Sequence, residues 1–86
     1  RSGIAATSPV NGSSIYVFGG EEPSKTFNNN EKYDVESNTW TSEPPMPTAR
    51  HGLAVVYAED DRIYVIGGGP QPGLSVSSAN EIFHVR

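Results

Sequence analysis

Cysteine is absent from the 86-residue chain, which excludes a disulfide framework, a thiolate nucleophile and any cysteine-based metal site. Basic residues are scarce as well. Six Lys and Arg stand against ten Asp and Glu, giving a net charge of −4, and they never cluster, so the electrostatic footprint of a nucleic-acid binder is missing. No apolar stretch approaches the roughly 18–20 residues that span a bilayer as a helix, and the first residues lack the basic, apolar, small-residue order of a signal peptide. Neither nucleic acid nor a membrane is expected as a partner. His51 and His84 fall in different segments, with no histidine or carboxylate at i+2 or i+4 spacing, so no metal or other cofactor is expected. Compartment stays open.

Glycine and proline are abundant instead. Nine glycines and seven prolines accompany a hydrophobic fraction of 35%, a composition that favours short strands joined by many turns. A chain of this length is one small domain at most, burying only about 60–65% of its unfolded surface. Its most informative stretch is Ile15-Tyr16-Val17-Phe18-Gly19-Gly20, which returns as Ile63-Tyr64-Val65-Ile66-Gly67-Gly68. Four consecutive apolar residues, mostly β-branched or aromatic, are too few for a buried helix and suit a strand covered on both faces.

The flanks repeat too. Arg1-Ser2-Gly3-Ile4-Ala5-Ala6-Thr7 matches Arg50-His51-Gly52-Leu53-Ala54-Val55-Val56 at a spacing of 49, and Asn30-Glu31-Lys32-Tyr33-Asp34-Val35 matches Asn80-Glu81-Ile82-Phe83-His84-Val85 at a spacing of 50. Tight turns are expected at residues 9–13 and 59–61, and polar, proline-broken loops at residues 21–29 and 69–79. Period-two alternation puts Glu31, Tyr33 and Val35 on one strand face, and Glu81, Phe83 and Val85 on its counterpart, with Tyr33 or Phe83 as the buried centre. Asp34 reads as a turn residue capping backbone amides. A further strand around Thr39-Trp40-Thr41 follows in the first copy only, and Pro44, Pro45 and Pro47 make the segment to Ala49 an extended connector.

A repeat of about 50 residues with four strands has the period of a propeller blade. The two Ile-Tyr-Val runs with their Gly-Gly pairs, Tyr33-Asp34 ahead of Trp40, and Met46-Pro47-Thr48-Ala49-Arg50 leading into the second copy resemble the kelch family, over nearly the whole chain. The resemblance implies an all-β fold of kelch-type β-propeller blades, each a four-stranded antiparallel sheet. The first blade with its connector would occupy residues 1–49, with strands near 2–8, 14–19, 30–35 and 39–42. The second would occupy residues 50–86, with strands near 51–58, 62–67 and 80–85 and no outer strand. Such a partial propeller resembles the C-terminal slice of a larger ring. It needs the rest of a parent chain to close, or homo-oligomerisation, for example a trimer forming a six-bladed ring.

Function on propellers is carried by loops, with the strands as scaffold. The resemblance places the loops after each glycine pair, and the proline connector, at one end of the channel. Arg1, Glu22, Phe27, Thr48, Arg50, Gln71 and Leu74 are therefore the candidate binding residues, for a protein or peptide partner. Arg1 and Arg50 would donate charge-assisted hydrogen bonds to a carboxylate; the competing reading is that each pairs structurally with a neighbouring blade's carboxylate or backbone. Tyr16, Tyr64, Tyr33, Phe83 and Trp40 read as packing residues. No residue calls for catalysis. The alternatives are a fragment of a carbohydrate-active kelch enzyme, resembling sialic-acid epimerases or galactose oxidases and using Arg50 above all, and a structural, self-assembling propeller piece without a ligand.

Overall fold

The two Ile-Tyr-Val runs become the second strands of two separate antiparallel sheets in a computed structural model that describes residues 1–9, 12–58 and 61–85. The strands are β1 (Ala5–Thr7), β2 (Ser14–Phe18), β3 (Glu21–Glu22), β4 (Lys25–Thr26), β5 (Asn30–Asp34), β6 (Thr39–Ser42), β7 (Ala54–Ala58), β8 (Arg62–Ile66) and β9 (Asn80–His84). The first sheet runs β1-β2-β5-β6 and the second β7-β8-β9. All pairings are antiparallel, the described residues contain no helix, and the two sheets do not close on themselves. The fold is that of kelch-type blades.

Two details of the sequence reading change. The segment after Gly20 is not simply a loop, because β3 and β4 pair there as a minimal hairpin, Glu21 with Thr26 and Glu22 with Lys25. The inner strands begin at Ala5 and Ala54, later than expected. Ser2 and His51 join only through isolated bridges, to Glu21 and Gly69, in the same register as the strands that follow. The gap arises where the glycine amides are diverted: Gly19 N–H donates to Asn29 O and Gly20 N–H to Arg50 O. The expected turns at Val10-Asn11 and Glu59-Asp60 lie outside the described residues, as does Arg86. The β5–β6 turn is as expected, with Asp34 Oδ1 accepting from the amides of Glu36 at 3.0 Å and Ser37 at 3.2 Å.

The core lies between the sheets. Tyr16 and Phe18 project from β2 and meet Ile63 and Val65 from β8, with Met46 of the connector and Leu53 completing the buried set. Burying side chains of this kind contributes about 1.5–3 kcal/mol each. The choice of residues is informative, because Tyr16 and Phe18 correspond to Tyr64 and Ile66, whereas Ile63 and Val65 correspond to Ile15 and Val17. The first sheet thus uses one face of the repeat and the second sheet uses the other. Phe83 sits in this interface, 5.5 Å from the Tyr16 ring and 6.1 Å from that of Phe18. Tyr33, Tyr64 and Trp40 were expected to pack in the core and do not. They lie on the outward faces, where Trp40 is 61% exposed and stacks on Tyr33.

The innermost segments also touch. Gly52 N–H donates to Gly3 O at 2.8 Å, and a Cβ at Gly3 would lie 3.2 Å from Gly52 N. Small residues stand where the inner strands of adjacent sheets crowd together, as the Gly-x-Ala pattern in both copies implies.

Candidate functional site

Each copy carries the same ion pair, built from the arginine that opens it and the glutamate of its third main strand. Arg1 Nη1 lies 2.7 Å from Glu31 Oε1 with both side chains partly exposed, at 23% and 32%. Arg50 Nη2 lies 2.6 Å from Glu81 Oε1, and Arg50 is fully buried. The buried guanidinium also donates to the carbonyls of Gly67 at 2.9 Å and Val65 at 3.3 Å, and reaches those of Thr48 and Ala79. Thr48 Oγ1 donates to the other oxygen of Glu81 at 2.7 Å. Charge and donors are thus satisfied internally, as a buried ion requires.

This geometry separates the seven candidate residues. Arg50 is enclosed, and its side chain pairs with Glu81 and with carbonyls of its own copy and the connector rather than with a neighbouring blade. Thr48 is held by the same glutamate.

Five candidates remain near the loop surface. Arg1 lies with its guanidinium carbon 5.8 Å from the centre of the Phe27 ring, and Lys25 Nζ is 5.1 Å from that ring, so Phe27 is flanked by two cations. Glu22, Gln71 and Leu74 are exposed, Leu74 completely. The β3–β4 hairpin and the 69–75 loop are tied together: Gly73 N–H donates to Glu21 Oε1 at 3.0 Å, and Thr26 Oγ1 donates to Pro70 O at 2.8 Å. A depression of about 600 Å³ opens between them, bounded by Arg1, Ser2, Glu21, Glu22, Pro23, Pro72 and Gly73.

His51 stands at the base of this junction. Its ring nitrogens face Gly69 O at 3.1 Å and Gly73 O at 2.8 Å, with Glu21 Oε2 at 3.7 Å. Glu21 and His51 therefore position the loops, and neither was singled out from sequence as a site residue. Glu21 has no counterpart in the second copy to draw attention to it. Glu31 and Glu81 could have been found, because they repeat in step with Arg1 and Arg50.

Comparison with known proteins follows the same lines. The profile of the kelch motif matches residues 5–47. A kelch-like protein of Aspergillus terreus is 35% identical over 88 aligned residues, covering 96% of this chain and 18% of that protein. Alpha-scruin of Limulus polyphemus is 40% identical over 55 residues, 63% of this chain and 6% of its own length. Kelch-like protein 35 of Mus musculus is 34% identical over 61 residues, 71% of this chain and 10% of its own. The chain therefore spans less than a fifth of each of these relatives. With the motif matched over half its length and two adjoining sheets built on one repeat, the chain belongs to the kelch-repeat family.

Proposed function

We propose that these blades form a protein-interaction module, binding a protein or peptide through the joined loops at one end and performing no catalysis of their own. Kelch repeats are generally interaction modules, and the observation that supports this assignment here is the tie between the β3–β4 hairpin and the 69–75 loop. It makes one continuous surface from both copies, on which Phe27, Gln71 and Leu74 lie in the two loops and Arg1 and Glu22 border a depression. An aromatic ring and an exposed leucine beside charges of both signs suit a peptide with an apolar anchor and polar flanks. Selection of peptides from a random library, followed by amide chemical-shift mapping, tests this. Shifts confined to the two loops are expected, with affinity falling about tenfold for Phe27→Ala or Leu74→Asp; peptides that map elsewhere overturn it.

A second copy of the chain is a further partner under this reading. The outward face of the first sheet carries Ile15, Val17, Glu31 and Tyr33, the counterparts of residues that face inward from the second. The outward face of the second sheet carries Tyr64 and Ile66, the counterparts of Tyr16 and Phe18. Repetition of the internal interface between copies would build a ring, for example three chains with six blades. Native mass at several concentrations is the test, and a monomer throughout would refute it.

A further inference from the structure

His51 meets the 69–75 loop with both nitrogens of its ring. Nε2 lies 2.8 Å from Gly73 O and Nδ1 lies 3.1 Å from Gly69 O. Both partners are carbonyl oxygens, which only accept, whereas a neutral imidazole carries a single N–H. In either neutral tautomer one ring nitrogen therefore turns a lone pair toward a carbonyl. Only the protonated ring donates to both.

The charges around the ring favour the same form. Glu21 Oε2 stands 3.7 Å from Nε2, while Glu21 Oε1 accepts from Gly73 N–H at 3.0 Å. The N–H and the C=O of Gly73 are thus gripped by a glutamate and a histidine that face each other. The other charged groups nearby are turned away or engaged: Arg50 pairs with Glu81, Arg1 with Glu31, and Glu22 accepts from Ser24 Oγ. The loop itself, from Gly69 to Ser75, contributes no ionisable side chain.

The base of the loop is held without the ring. Backbone bonds join His51 and Gly69 in both directions, Thr26 Oγ1 donates to Pro70 O at 2.8 Å, and Ser75 Oγ closes the loop on Gln71 O at 2.7 Å. The tip at Gly73 depends on His51 and Glu21. Gly73 also forms a wall of two depressions, one bordered by Glu22 and Pro23 and the other by Leu74 and Val76, so its position shapes both. The first copy has no such device, because Ser2 takes the place of His51 and makes the matching backbone bridge to Glu21 without a titratable ring.

We infer that His51 is a proton-operated latch: its protonated ring fastens Gly73 beside Glu21, and loss of that proton frees the tip of the 69–75 loop while the base stays tied. Histidine ordinarily changes charge between about pH 5 and 8, where carboxylates stay ionised. The latch is therefore closed at the acidic end of that range and opens as pH rises. The consequence for binding rests on the interaction reading above: a partner meets a fixed loop surface when the ring is charged and a looser one, with Leu74 carried on the moving tip, when it is not.

Nuclear magnetic resonance of the full chain, with no partner present, tests the latch. Between about pH 5.5 and 8 the His51 ring should pass from two protonated nitrogens to one, and the amide signals of Gly73 and Leu74 should move in step with it. Protection of Gly73 N–H from hydrogen exchange, corrected for the intrinsic effect of pH, should fall about tenfold, while protection in β2 and β8 stays level. His51→Gln, which is never charged, should leave Gly73 poorly protected across the range. His84 is retained in that variant, at the opposite end of the second sheet beside Arg62, and its titration should not move the loop. Loop amides that stay still while the ring titrates, a tip that stays protected or pH-responsive in His51→Gln, or a tip held more firmly at high pH would each overturn the latch. If His51→Gln unfolds, seen as lost protection in β2 and β8, the correlation between ring and loop in the unaltered chain decides alone. Failure of the latch leaves the interaction reading standing, and a surface that selects no peptide leaves the latch standing.

Discussion

Arg1 and Arg50 open the two copies with the same side chain, pair with the same glutamate position and end in different surroundings. Arg1–Glu31 faces outward, while Arg50–Glu81 lies inside with five oxygens around the guanidinium. Nothing local separates them; the difference is the neighbouring sheet. The first sheet covers that face of the second, and no described residue covers the same face of the first. A blade sequence therefore encodes two interfaces, and each sheet here uses one.

The sharpest test of that contrast replaces the arginines. Arg50→Ala strands Glu81 and several carbonyls and should cost about 3–5 kcal/mol, enough to abolish a cooperative melt in a small domain. Arg1→Ala should cost at most about 1 kcal/mol, as expected for a solvent-accessible pair. Equal losses in urea denaturation would remove the distinction. The aromatic counterparts come next. Phe83→Ala should cost about 3 kcal/mol through its contacts with Tyr16 and Phe18, and Tyr33→Ala about 1 kcal/mol through its stack on exposed Trp40.

The glycine pairs sharpen the comparison at smaller scale. Gly19 and Gly67 both have positive φ, 70° and 69°, so alanine at either is strained by about 1–2 kcal/mol. At Gly19 the added Cβ would also fall 2.5 Å from Arg50 O, whereas at Gly67 it meets nothing within 4 Å. Gly19→Ala should therefore lower the thermal midpoint well beyond Gly67→Ala, and a reversed order would contradict the assigned joint. The smallest effect concerns Tyr16. Burial first, then the charges of Glu43 and Asp61, raise its phenol above the usual value of 10.0. The folded state thus favours the neutral phenol, and this contribution is complete below pH 10 and fades as pH rises toward the folded value. Tyr16→Phe should make the alkaline loss of stability shallower in pH-dependent melts.

The strands were legible because their signals are local. Apolar runs ending in glycines, the alternation around Tyr33 and Phe83, and Asp34 in its turn follow from short-range chemistry. The β3–β4 hairpin was not legible, since strands of two residues leave no pattern and Pro23 argues for a loop. The fate of the candidate arginines was also hidden. Sequence places Arg50 at the start of a strand but does not say which face the preceding sheet will cover, and that decides between a rim residue and a buried one.

Arg50 also joins the sheets in two directions. Its backbone is bonded to the first, accepting from Gly20 N–H and donating to Phe27 O, while its side chain holds the ends of β8 and β9 in the second. In a linear array of repeats, stability is a sum of what each unit contributes alone and what each junction adds. Here much of the junction term passes through one residue. Neither sheet can fray at that end without releasing the other, so the pair should unfold as a single cooperative unit, and hydrogen exchange should report one common opening energy for β2 and β8.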